Sequence, residues 1–484
     1  MFEAEKIDAI PVAHARVRVD EKPSPLITAL ILALGDYFAV YGAYAAAVAI
    51  RDLFQGELSR QLYLSLWPLL LLFPLSYYLS GLYQFGVALP EELRRLTYAT
   101  VINFCVLGAV TFLYKVGVLY SRGVFVIAFG LTLVTVPLSR ILLRGVFARM
   151  SWWGRAVVVL GAGKTGSLVV KKLLSQPELG LKPVALLDDK VEMHGQLLYG
   201  IPIVGPLSLA TQFAEGGIRV AVLAIPGVDR FSTLQIIQNY ANLFQHLILI
   251  PDLFGLSSLW VQTQDLGGIL GLEIQQNLLS TEARLIKRAI DLSLIIFFSP
   301  IILLIVSVFA LLIKLDSPGS AFYKSRRIGQ DGKLINILKF RSMVKDADEI
   351  LKDYLRKNPH LQSEWQTSIK LKDDPRVTRI GQFLRKTSLD ELPQVWNVLK
   401  GEMSLVGPRP ILEEEVNRYE ETFEIYTQVK PGITGYWQVM GRNDVPYEER
   451  KAMVSYYVRN WSPWLDLVIL AKTVWVVLTG KGAY

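Results

Sequence analysis

Long apolar runs alternate with charged segments in the first third of the chain. Residues 1–25 form a polar tail. Four apolar runs follow this tail, at Leu26–Ile50, Leu62–Tyr83, Ala99–Tyr120 and Val124–Leu138. The first three reach the roughly 20 residues that a helix needs to cross a bilayer, and the fourth needs its flanks to complete a span. The pattern predicts a membrane protein with a four-helix transmembrane bundle over residues 26–150.

Basic residues between the apolar runs predict the orientation of this bundle. Lysines and arginines precede the first run, a second pair lies at Arg94 and Arg95, and three more arginines follow the fourth run from Arg140 onward. Because such residues are retained on the cytoplasmic side, the tail and everything after Arg140 are expected in the cytoplasm. The first run also contains Asp36, to which the sequence assigns no role.

The pattern changes to that of a Rossmann-like α/β module over residues 154–270. A strand at Ala156–Leu160 leads into Gly161-Ala-Gly163-Lys-Thr-Gly166 and an amphipathic helix, and further strands recur at Val184–Leu187, Val220–Ile225 and Leu247–Ile250. Gly161, Gly163 and Gly166 are weak candidates for cofactor binding, because this spacing suits a dinucleotide pyrophosphate. The alternative is a regulatory or assembly module whose glycines serve only the turn and the packing of helix on strand.

A fifth apolar run, residues 289–313, has basic residues at both ends and Ser299-Pro300 in its middle. Proline removes a helix hydrogen bond and bends the axis. Two basic ends and a central bend predict a re-entrant membrane helix that dips into one leaflet, with Ser299 or neighbouring protein satisfying polar backbone at the break. The alternative is a kinked spanning helix, which would place the C-terminal part of the chain outside the cell.

Composition excludes several classes of site. Hydrophobic residues make up 52% of the 484 residues and the net charge is +8, which suits a membrane protein with anionic lipids or substrates. The single cysteine, Cys105, permits no intrachain disulfide, and the four histidines have no zinc spacing. Because no basic–aromatic array lies outside the membrane flanks, no nucleic acid partner is expected.

The strongest chemical signal is the segment Thr387–Gln394, which contains the adjacent carboxylates of Asp390 and Glu391. Several arginines surround it in the sequence, among them Arg376, Arg379, Arg385 and Arg409. A carboxylate can attack phosphorus or hold Mg²⁺, and arginines bind phosphate oxygens in a fork, so the pattern indicates phosphate chemistry. The alternative is a helix-capping box formed by Ser388 and Glu391.

Many short motifs in the C-terminal 200 residues match one family in order. They are Lys287-Arg288-x-x-Asp291, Ser299-Pro300, Ser317-Pro-Gly, Arg327-x-Gly-x-Asp331-Gly, Lys339-Phe-Arg341-Ser-Met, Asp374-Pro-Arg376-x-Thr, Thr387–Gln394, Gly407-Pro-Arg409-Pro and Lys430-Pro-Gly-Ile-Thr-Gly. With them the chain resembles the bacterial sugar transferases, the monotopic polyprenyl-phosphate phosphoglycosyl transferases, in their long form with a membrane bundle and a Rossmann-like module. The resemblance implies a catalytic domain over residues 282–484 that is α/β in type and mostly helical.

The resemblance also implies a mechanism. Asp390 attacks the sugar-linked phosphorus of a UDP-sugar, UMP leaves, and undecaprenyl phosphate then takes the sugar phosphate from the aspartyl intermediate. Mg²⁺ is the implied cofactor, with Glu391 as its ligand. The implied phosphate-binding residues are Lys339, Arg341, Arg376, Arg385 and Arg409.

The sugar implied by the resemblance is galactose, with glucose as the alternative, and the product starts a bacterial polysaccharide such as O-antigen, capsule or exopolysaccharide. The implied location is the bacterial inner membrane, with the catalytic domain on the cytoplasmic face and the chain as a homodimer. One position departs from the family pattern: Val454 and Ser455 stand where an acidic residue is expected before Tyr457. A second metal ligand is therefore open, with Asp444 or water as candidates.

Two other classes of function compete with a transferase. A membrane-tethered, NAD-dependent sugar-nucleotide enzyme is suggested by Gly161–Gly166, but no Tyr-x-x-x-Lys pair follows in the module. A regulatory scaffold with a decayed transferase domain is the third class, and the intact Asp390-Glu391 pair argues against it.

Overall fold

The chain forms two compact units, Met1–Asp252 and Leu253–Tyr484, in the computed structural model. The structure describes residues 23–54, 63, 65–113, 121–225, 235–236, 238–240, 242–250, 261–265, 270–274, 278, 280–344, 347–358, 374–441 and 445–479. Most of the predicted N-terminal tail and the candidate ligand Asp444 lie outside these residues.

Three long apolar helices and one short apolar helix form the membrane part of the first unit. The long helices are α1 (Pro25–Phe54), α3 (Leu89–Leu113) and α4 (Arg122–Phe147), and each is long and apolar enough to cross a membrane. The second predicted span differs, because its helical part is a 3₁₀ turn at Trp67–Leu71 followed by α2 (Leu72–Leu79). Pro68 and Pro74 each remove a backbone hydrogen-bond donor in this segment. The apolar run therefore extends further than the regular α-helix.

A buried network of charges joins these helices. The Arg140 guanidinium donates to the Asp36 carboxylate at 2.6 Å and to the Glu92 carboxylate at 2.6 Å, and the Tyr83 hydroxyl donates to Asp36 at 2.8 Å. All four side chains are almost fully buried. A charge inside an apolar bundle is tolerated when it is paired and hydrogen-bonded, so Asp36 fixes α1 against α4.

The rest of the first unit is the predicted Rossmann-like module. Its six-stranded sheet has the order β3-β4-β2-β1-β5-β6, with β3 antiparallel at the edge and the other pairings parallel. The strands are β1 (Arg155–Leu160), β2 (Leu181–Leu187), β3 (Leu197–Leu198), β4 (Ile201–Gly205), β5 (Val220–Leu223) and β6 (His246–Leu249), and the helices are α5 (Lys164–Ser175) and α6 (Ala210–Glu215). The central strands are buried on both faces, as expected for runs of valine and leucine in a parallel sheet.

The second unit begins with a β-hairpin and a 36-residue helix and continues as a set of short helices and small sheets. Its strands are β7 (Val261–Asp265), β8 (Leu270–Ile274), β9 (Phe322–Ile328), β10 (Leu334–Phe340), β11 (Ser404–Val406) and β12 (Gly432–Thr434). Its helices are α7 (Thr281–Asp316), α8 (Ala347–Lys357), α9 (Arg379–Thr387), α10 (Val395–Lys400), α11 (Val416–Tyr419), α12 (Thr422–Thr427), α13 (Tyr436–Met440), α14 (Tyr447–Arg459) and α15 (Pro463–Thr479). The mostly helical α/β character expected for this region is present.

The apolar helix α7 is longer than the predicted residues 289–313 and runs through Pro300 without interruption. Its most apolar stretch is 6% buried. The Ser299 hydroxyl donates to the carbonyl of Ile296 at 2.7 Å. Pro300 would pair with that same carbonyl if it had an N–H, so the serine satisfies the acceptor that proline leaves open.

Both ends of α7 pack against the same folded unit. On the N-terminal side, Lys287 forms a 2.6 Å ion pair with Asp466 of α15, and Ser404 of β11 donates to the Asp291 carboxylate at 2.7 Å. On the C-terminal side, Ile313 belongs to an apolar cluster with Phe340 and other residues. Leu392 packs against both this cluster and the cluster of Ile295, so residues before and after Pro300 approach one short segment of the chain.

The C-terminal helix α15 is partly core and partly exposed. Leu465 and Ile469 are buried in an apolar cluster with Trp461, whereas Val474 and Trp475 are exposed. The sequence left a membrane-surface helix and a buried core helix as alternatives. The first half of α15 is core, and its second half presents apolar side chains outward.

Candidate active site

A tight backbone turn positions the two adjacent carboxylates. Helix α9 ends at Thr387, and Ser388 adopts a left-handed conformation with φ of 58°. A 3₁₀ turn over Leu389–Gln394 follows and carries Asp390 and Glu391 in its first turn. The Ser388 side chain makes no capping hydrogen bond, so the capping-box interpretation is wrong.

The Glu391 carboxylate is paired with a lysine on a neighbouring strand. Lys339, near the end of β10, donates from Nζ to Glu391 Oε1 at 2.6 Å. Both side chains keep part of their surface in solvent, so the pair lies in an accessible position. The ion pair therefore places one ammonium and one carboxylate beside Asp390.

The electrostatics of Asp390 differ from those of an ordinary aspartate. Burial, and then the negative charge of Glu391, raise the pKa of Asp390 from 3.8 to about 6, although Lys339 and Arg385 act in the opposite direction. A raised pKa increases the basicity of the carboxylate while leaving it mostly ionised at neutral pH. The two adjacent carboxylates therefore differ in their partners. Glu391 is paired with Lys339, whereas Asp390 has no hydrogen bond from another side chain among the described residues.

Arg385 approaches Asp390 from α9. Its Nε donates to the Ser342 hydroxyl at 2.9 Å, and burial lowers the pKa of its guanidinium. Its positive charge also acts on Asp390. Arg385 thus holds the segment after β10 and contributes a cation close to Asp390.

Arg327 on β9 is a site residue that the sequence did not single out as a phosphate ligand. Its Nε and Nη1 atoms are buried and have no hydrogen-bond partner within the part of the chain that the structure describes. Burial, and then the positive charge of Arg409, lower the pKa of Arg327. A guanidinium with unused donors beside a second guanidinium favours an anion between them. Glu391 is close enough to act on the same charge, which places Arg327 on the Glu391 side of the site.

Arg409 is exposed between Pro408 and Pro410. The two prolines restrict the backbone on both sides of it. The structure therefore brings together Lys339, Arg385 and the carboxylates, and places Arg409 near Arg327, which in turn is near Glu391.

Two other predicted phosphate ligands donate to protein groups. Arg341 donates from Nη2 to the Ser317 carbonyl at 2.6 Å and from Nη1 to the Pro318 carbonyl at 2.9 Å. Arg376 makes a two-pronged contact with the Asp374 carboxylate, from Nε at 2.8 Å and from Nη2 at 2.7 Å. Their guanidinium groups hold the backbone around the site, and a phosphate-binding role for them stays a prediction.

The described residues contain no group of three or more histidine, cysteine, aspartate or glutamate side chains that could hold a metal ion. Val454, at the position that departs from the family pattern, is buried in an apolar cluster. Mg²⁺ commonly binds through one or two carboxylates, with substrate phosphates and water completing its shell. The Asp390–Glu391 pair fits that manner of binding, with the substrate supplying the remaining ligands.

The glycine loop of the Rossmann-like module has its own geometry. Gly161 has φ of +104°, and a Cβ at Gly166 would collide with the Gly161 carbonyl, so both glycines are required by the turn and by the packing of α5 on β1. A Cβ at Gly163 would meet open space. The Asp188 carboxylate accepts the backbone N–H of Ala162 at 2.8 Å. The Ala162 N–H of the glycine loop is therefore already bound within the protein. Cofactor binding at the three glycines stays a prediction.

Two regions of the chain match known protein families. Residues 282–480 match the model of the bacterial sugar transferase family, and residues 78–251 match a family described as a CoA-binding domain. An uncharacterized sugar transferase of Haemophilus influenzae is 38% identical over 75% of this chain and 78% of its own length. The undecaprenyl-phosphate galactose phosphotransferase of Salmonella typhimurium is 37% identical over 75% of this chain and 77% of its own.

A third relative is named for a different sugar. The UDP-glucose:undecaprenyl-phosphate glucose-1-phosphate transferase of Escherichia coli is 33% identical over 68% of this chain and 69% of its own length. The similarity to the first two relatives covers 75% of the chain, which is more than residues 282–480 alone. The chain therefore belongs to the bacterial sugar transferase family and is an enzyme of that family.

Proposed function

We propose that the enzyme transfers galactose 1-phosphate from UDP-galactose to undecaprenyl phosphate, releases UMP and so starts a bacterial polysaccharide. The observation that carries this proposal is the Asp390 carboxylate, half-buried, with a pKa of about 6, beside the Lys339–Glu391 ion pair. An ionised carboxylate among cations is suited to attack phosphorus and form an acyl phosphate. The substrates are those named for the relatives from Salmonella typhimurium and Escherichia coli.

The chemistry proceeds in two displacements at one phosphorus. First, an oxygen of Asp390 bonds to the phosphorus that carries the sugar, and the bond from that phosphorus to the bridging oxygen breaks, so that UMP leaves with the electron pair. Second, a phosphate oxygen of undecaprenyl phosphate attacks the same phosphorus, and the Asp390 carboxylate is released. Splitting the reaction through a covalent intermediate replaces one difficult encounter of three components by two simpler ones.

The cations near Asp390 divide the task of charge stabilisation. Arg327 and Arg409 have the donors to hold phosphate oxygens of the nucleotide, because Arg327 has two buried donor atoms with no protein acceptor among the described residues. Lys339 holds the Glu391 carboxylate in place through their ion pair. Arg385 lies on the Asp390 side, where it can stabilise negative charge on the transferring group.

Mg²⁺ is the proposed cofactor, with Glu391 as the protein ligand. When bound, it would neutralise diphosphate charge and make UMP a better leaving group. Glu391 is exposed to solvent on part of its surface, so a metal–diphosphate complex can approach it.

The proposal includes a re-entrant arrangement of α7. Three contacts support it: Lys287 and Asp291 bind the folded unit before Pro300, and Ile313 packs against it after Pro300. If one cytoplasmic unit holds both ends, the helix enters and leaves on the same side of the membrane. Asp390 then lies at the level of the lipid phosphate, where a cytosolic nucleotide also arrives.

Cysteine labelling tests this arrangement in the full chain. Cys105, which is exposed, is first replaced by serine, and single cysteines are then placed at the exposed positions Glu282 and Lys324. We expect both to react with an impermeant reagent only from the cytoplasmic side. Labelling from opposite sides would show that α7 spans the membrane.

The transfer reaction is tested by measuring UMP release from UDP-galactose and UDP-glucose, with and without undecaprenyl phosphate. We expect the wild type to prefer UDP-galactose and to show a phospho-sugar adduct by intact mass when the acceptor is withheld. Asp390→Asn should give neither UMP nor adduct, whereas Asp331→Asn, a change of an exposed aspartate, should retain both. Normal turnover by Asp390→Asn would refute the proposed nucleophile, and a preference for UDP-glucose would refute the sugar.

The remaining proposals concern location and assembly. Four helices in the described residues are long and apolar enough to cross a membrane. We place the three helices of the first unit across the bacterial inner membrane, with α7 entering it from the cytoplasmic side and the rest of the second unit in the cytoplasm. A homodimer remains a prediction from the resemblance.

A further inference from the structure

A group of cations surrounds the first turns of α7, apart from the carboxylate pair. Arg284 and Arg288 lie on α7, and Lys430 lies just before β12. The Arg288 guanidinium donates to the carbonyls of Val398 and Leu399, the latter at 2.9 Å, and so is held at the C-terminal end of α10. Arg284 donates from Nε to the Leu278 carbonyl at 2.8 Å. We call Arg284, Arg288 and Lys430 the basal cluster.

The Lys430 ammonium has no hydrogen-bond acceptor and no ion-pair partner in the described part of the chain. Burial, and then the charge of Arg288, lower the pKa of Lys430. The acid whose charge acts on Lys430 is Asp291, and it accepts hydrogen bonds from the Ser404 hydroxyl and the Leu405 amide. A half-buried ammonium among guanidinium groups is stabilised by an anion that the protein itself does not supply.

Two more acids lie near the base of α7: Glu282, which is exposed in its first turn, and Asp466, which is committed to other partners. Asp466 accepts hydrogen bonds from Lys287 at 2.6 Å, from the Tyr457 hydroxyl at 2.9 Å and from the Trp461 indole at 3.0 Å. Its charge is therefore balanced by Lys287. The basal cluster consequently keeps an excess of positive charge.

Lys430 Nζ and Arg288 Nη2 both lie close to Gly401. A Cβ atom added to Gly401 would lie 3.6 Å from Lys430 Nζ and 3.8 Å from Arg288 Nη2, which are ordinary van der Waals distances. Gly401 has φ of +83°, so the backbone at the end of α10 is kept free of a side chain. The two nitrogens are near enough for the oxygens of one phosphate group to reach both.

The surroundings of the basal cluster identify the source of that phosphate. Leu285 and Ile286, beside the cationic positions of α7, are exposed, and in the most apolar stretch of the helix that follows only 6% of the residues are buried. Cations at the base of an exposed apolar helix lie where lipid headgroups lie. The excess positive charge selects a headgroup with net negative charge over a zwitterionic one.

We propose that the basal cluster binds the phosphodiester of an anionic phospholipid of the bilayer, with Lys430 and Arg288 as its ligands. The bound headgroup anchors the base of α7 at the membrane surface. In the chain, α10 lies between Gly401 and the turn that carries Asp390, and no hydrogen bond or ion pair among the described residues joins the basal cluster to Asp390 or Glu391. In this proposal the lipid is a structural ligand and takes no part in the transfer.

The test measures lipid binding by the full chain in zwitterionic detergent, with native mass spectrometry as the readout and without any activity assay. Phosphatidylglycerol is titrated against wild type, Lys430→Gln and Lys430→Arg. We expect Lys430→Gln to weaken binding about five- to tenfold, since one cation at a lipid surface contributes ~1 kcal/mol. Lys430→Arg keeps the charge and should bind as the wild type does, which separates loss of the ligand from loss of the fold.

Three controls decide the source and the place of binding. Lys333→Gln removes another lysine side chain, which is exposed at the turn of the β9–β10 hairpin, and should leave binding unchanged. Phosphatidylcholine and inorganic phosphate should bind weakly and without dependence on Lys430. Equal binding of phosphatidylglycerol by wild type and Lys430→Gln would overturn the proposal. Tight binding of inorganic phosphate that is lost in Lys430→Gln would overturn the assignment to lipid.

Discussion

Replacing Asp390 by asparagine should abolish the transfer and at the same time stabilise the turn that carries it. The pKa of Asp390 is about 6 in the folded protein against 3.8 for an ordinary aspartate. A shift of about two units corresponds to ~3 kcal/mol of unfavourable free energy for the ionised group. Because the folded state holds the proton to higher pH than the unfolded state, this penalty grows from pH 3.8 and is complete above about pH 6.

Asparagine has the same shape and no charge, so the variant escapes the penalty. The amide needs hydrogen-bond partners of its own, and we therefore expect a gain of ~1–3 kcal/mol in local stability at pH 8. At pH 5 the gain should be about half as large, because the unfolded aspartate is ionised there while the folded one is still mostly protonated. A catalytic carboxylate held in an unfavourable environment is a known compromise between stability and activity.

Hydrogen exchange, read by mass spectrometry on peptides from Leu389–Lys400, measures this local free energy in the full chain. The wild type and Asp390→Asn are compared at pH 5 and pH 8 after correction for intrinsic exchange rates. Asp331→Asn is the control for replacing an exposed carboxylate. If Asp390→Asn exchanges faster than the wild type at pH 8, or if its gain does not depend on pH, the reasoning about burial and charge at Asp390 is wrong.

Three further outcomes follow from the site. Arg327→Gln should raise KM for the UDP-sugar about tenfold or more, through loss of a charged hydrogen bond, whereas Arg341→Gln should lower the unfolding temperature and raise KM less; the reverse order of the two KM effects would exchange their roles. Excess chelator should stop UMP release and added Mg²⁺ should restore it, and full activity in chelator would exclude Glu391 as a required metal ligand. A fragment Glu282–Tyr484, shown to be folded in a membrane mimic, should still release UMP; an inert fragment beside an active full chain would mean that the first unit contributes to the reaction.

Local sequence patterns were sufficient for much of the fold. The parallel strands of the Rossmann-like module follow from short runs of valine and leucine next to a glycine-rich turn, because both signals lie within a few residues of each other. The second apolar run, Leu62–Tyr83, shows the limit of the same method. Hydrophobicity indicates that a segment prefers lipid, but the continuity of its helix depends on backbone donors, and prolines at 68 and 74 remove two of them.

The candidate site was only partly visible in the sequence for a related reason. Asp390 and Glu391 are adjacent, so their pairing is a local feature. Arg327 acquires its unpartnered donors only when the β9–β10 hairpin brings it towards Glu391 and Arg409, which are distant in the chain. Arg341 resembles a phosphate ligand in sequence; in the structure its Nη atoms donate to Ser317 and Pro318, while its Nε is buried with no partner among the described residues. Long-range packing decides which acceptor a guanidinium group binds. The spacing of polar and apolar residues along the sequence does not predict that acceptor.

The buried pairing of Asp36 with Arg140 has a consequence for how the protein is made. Helix α1 emerges first from the ribosome, and its carboxylate must enter the membrane before the arginine of α4 has been synthesised. Throughout that interval the Asp36 carboxylate lacks its cationic partner, which disfavours the release of α1 into lipid as a solitary helix. Insertion of the bundle is thus coupled to translation of α4, so a chain truncated before Arg140 would leave an orphan helix for membrane quality control to remove.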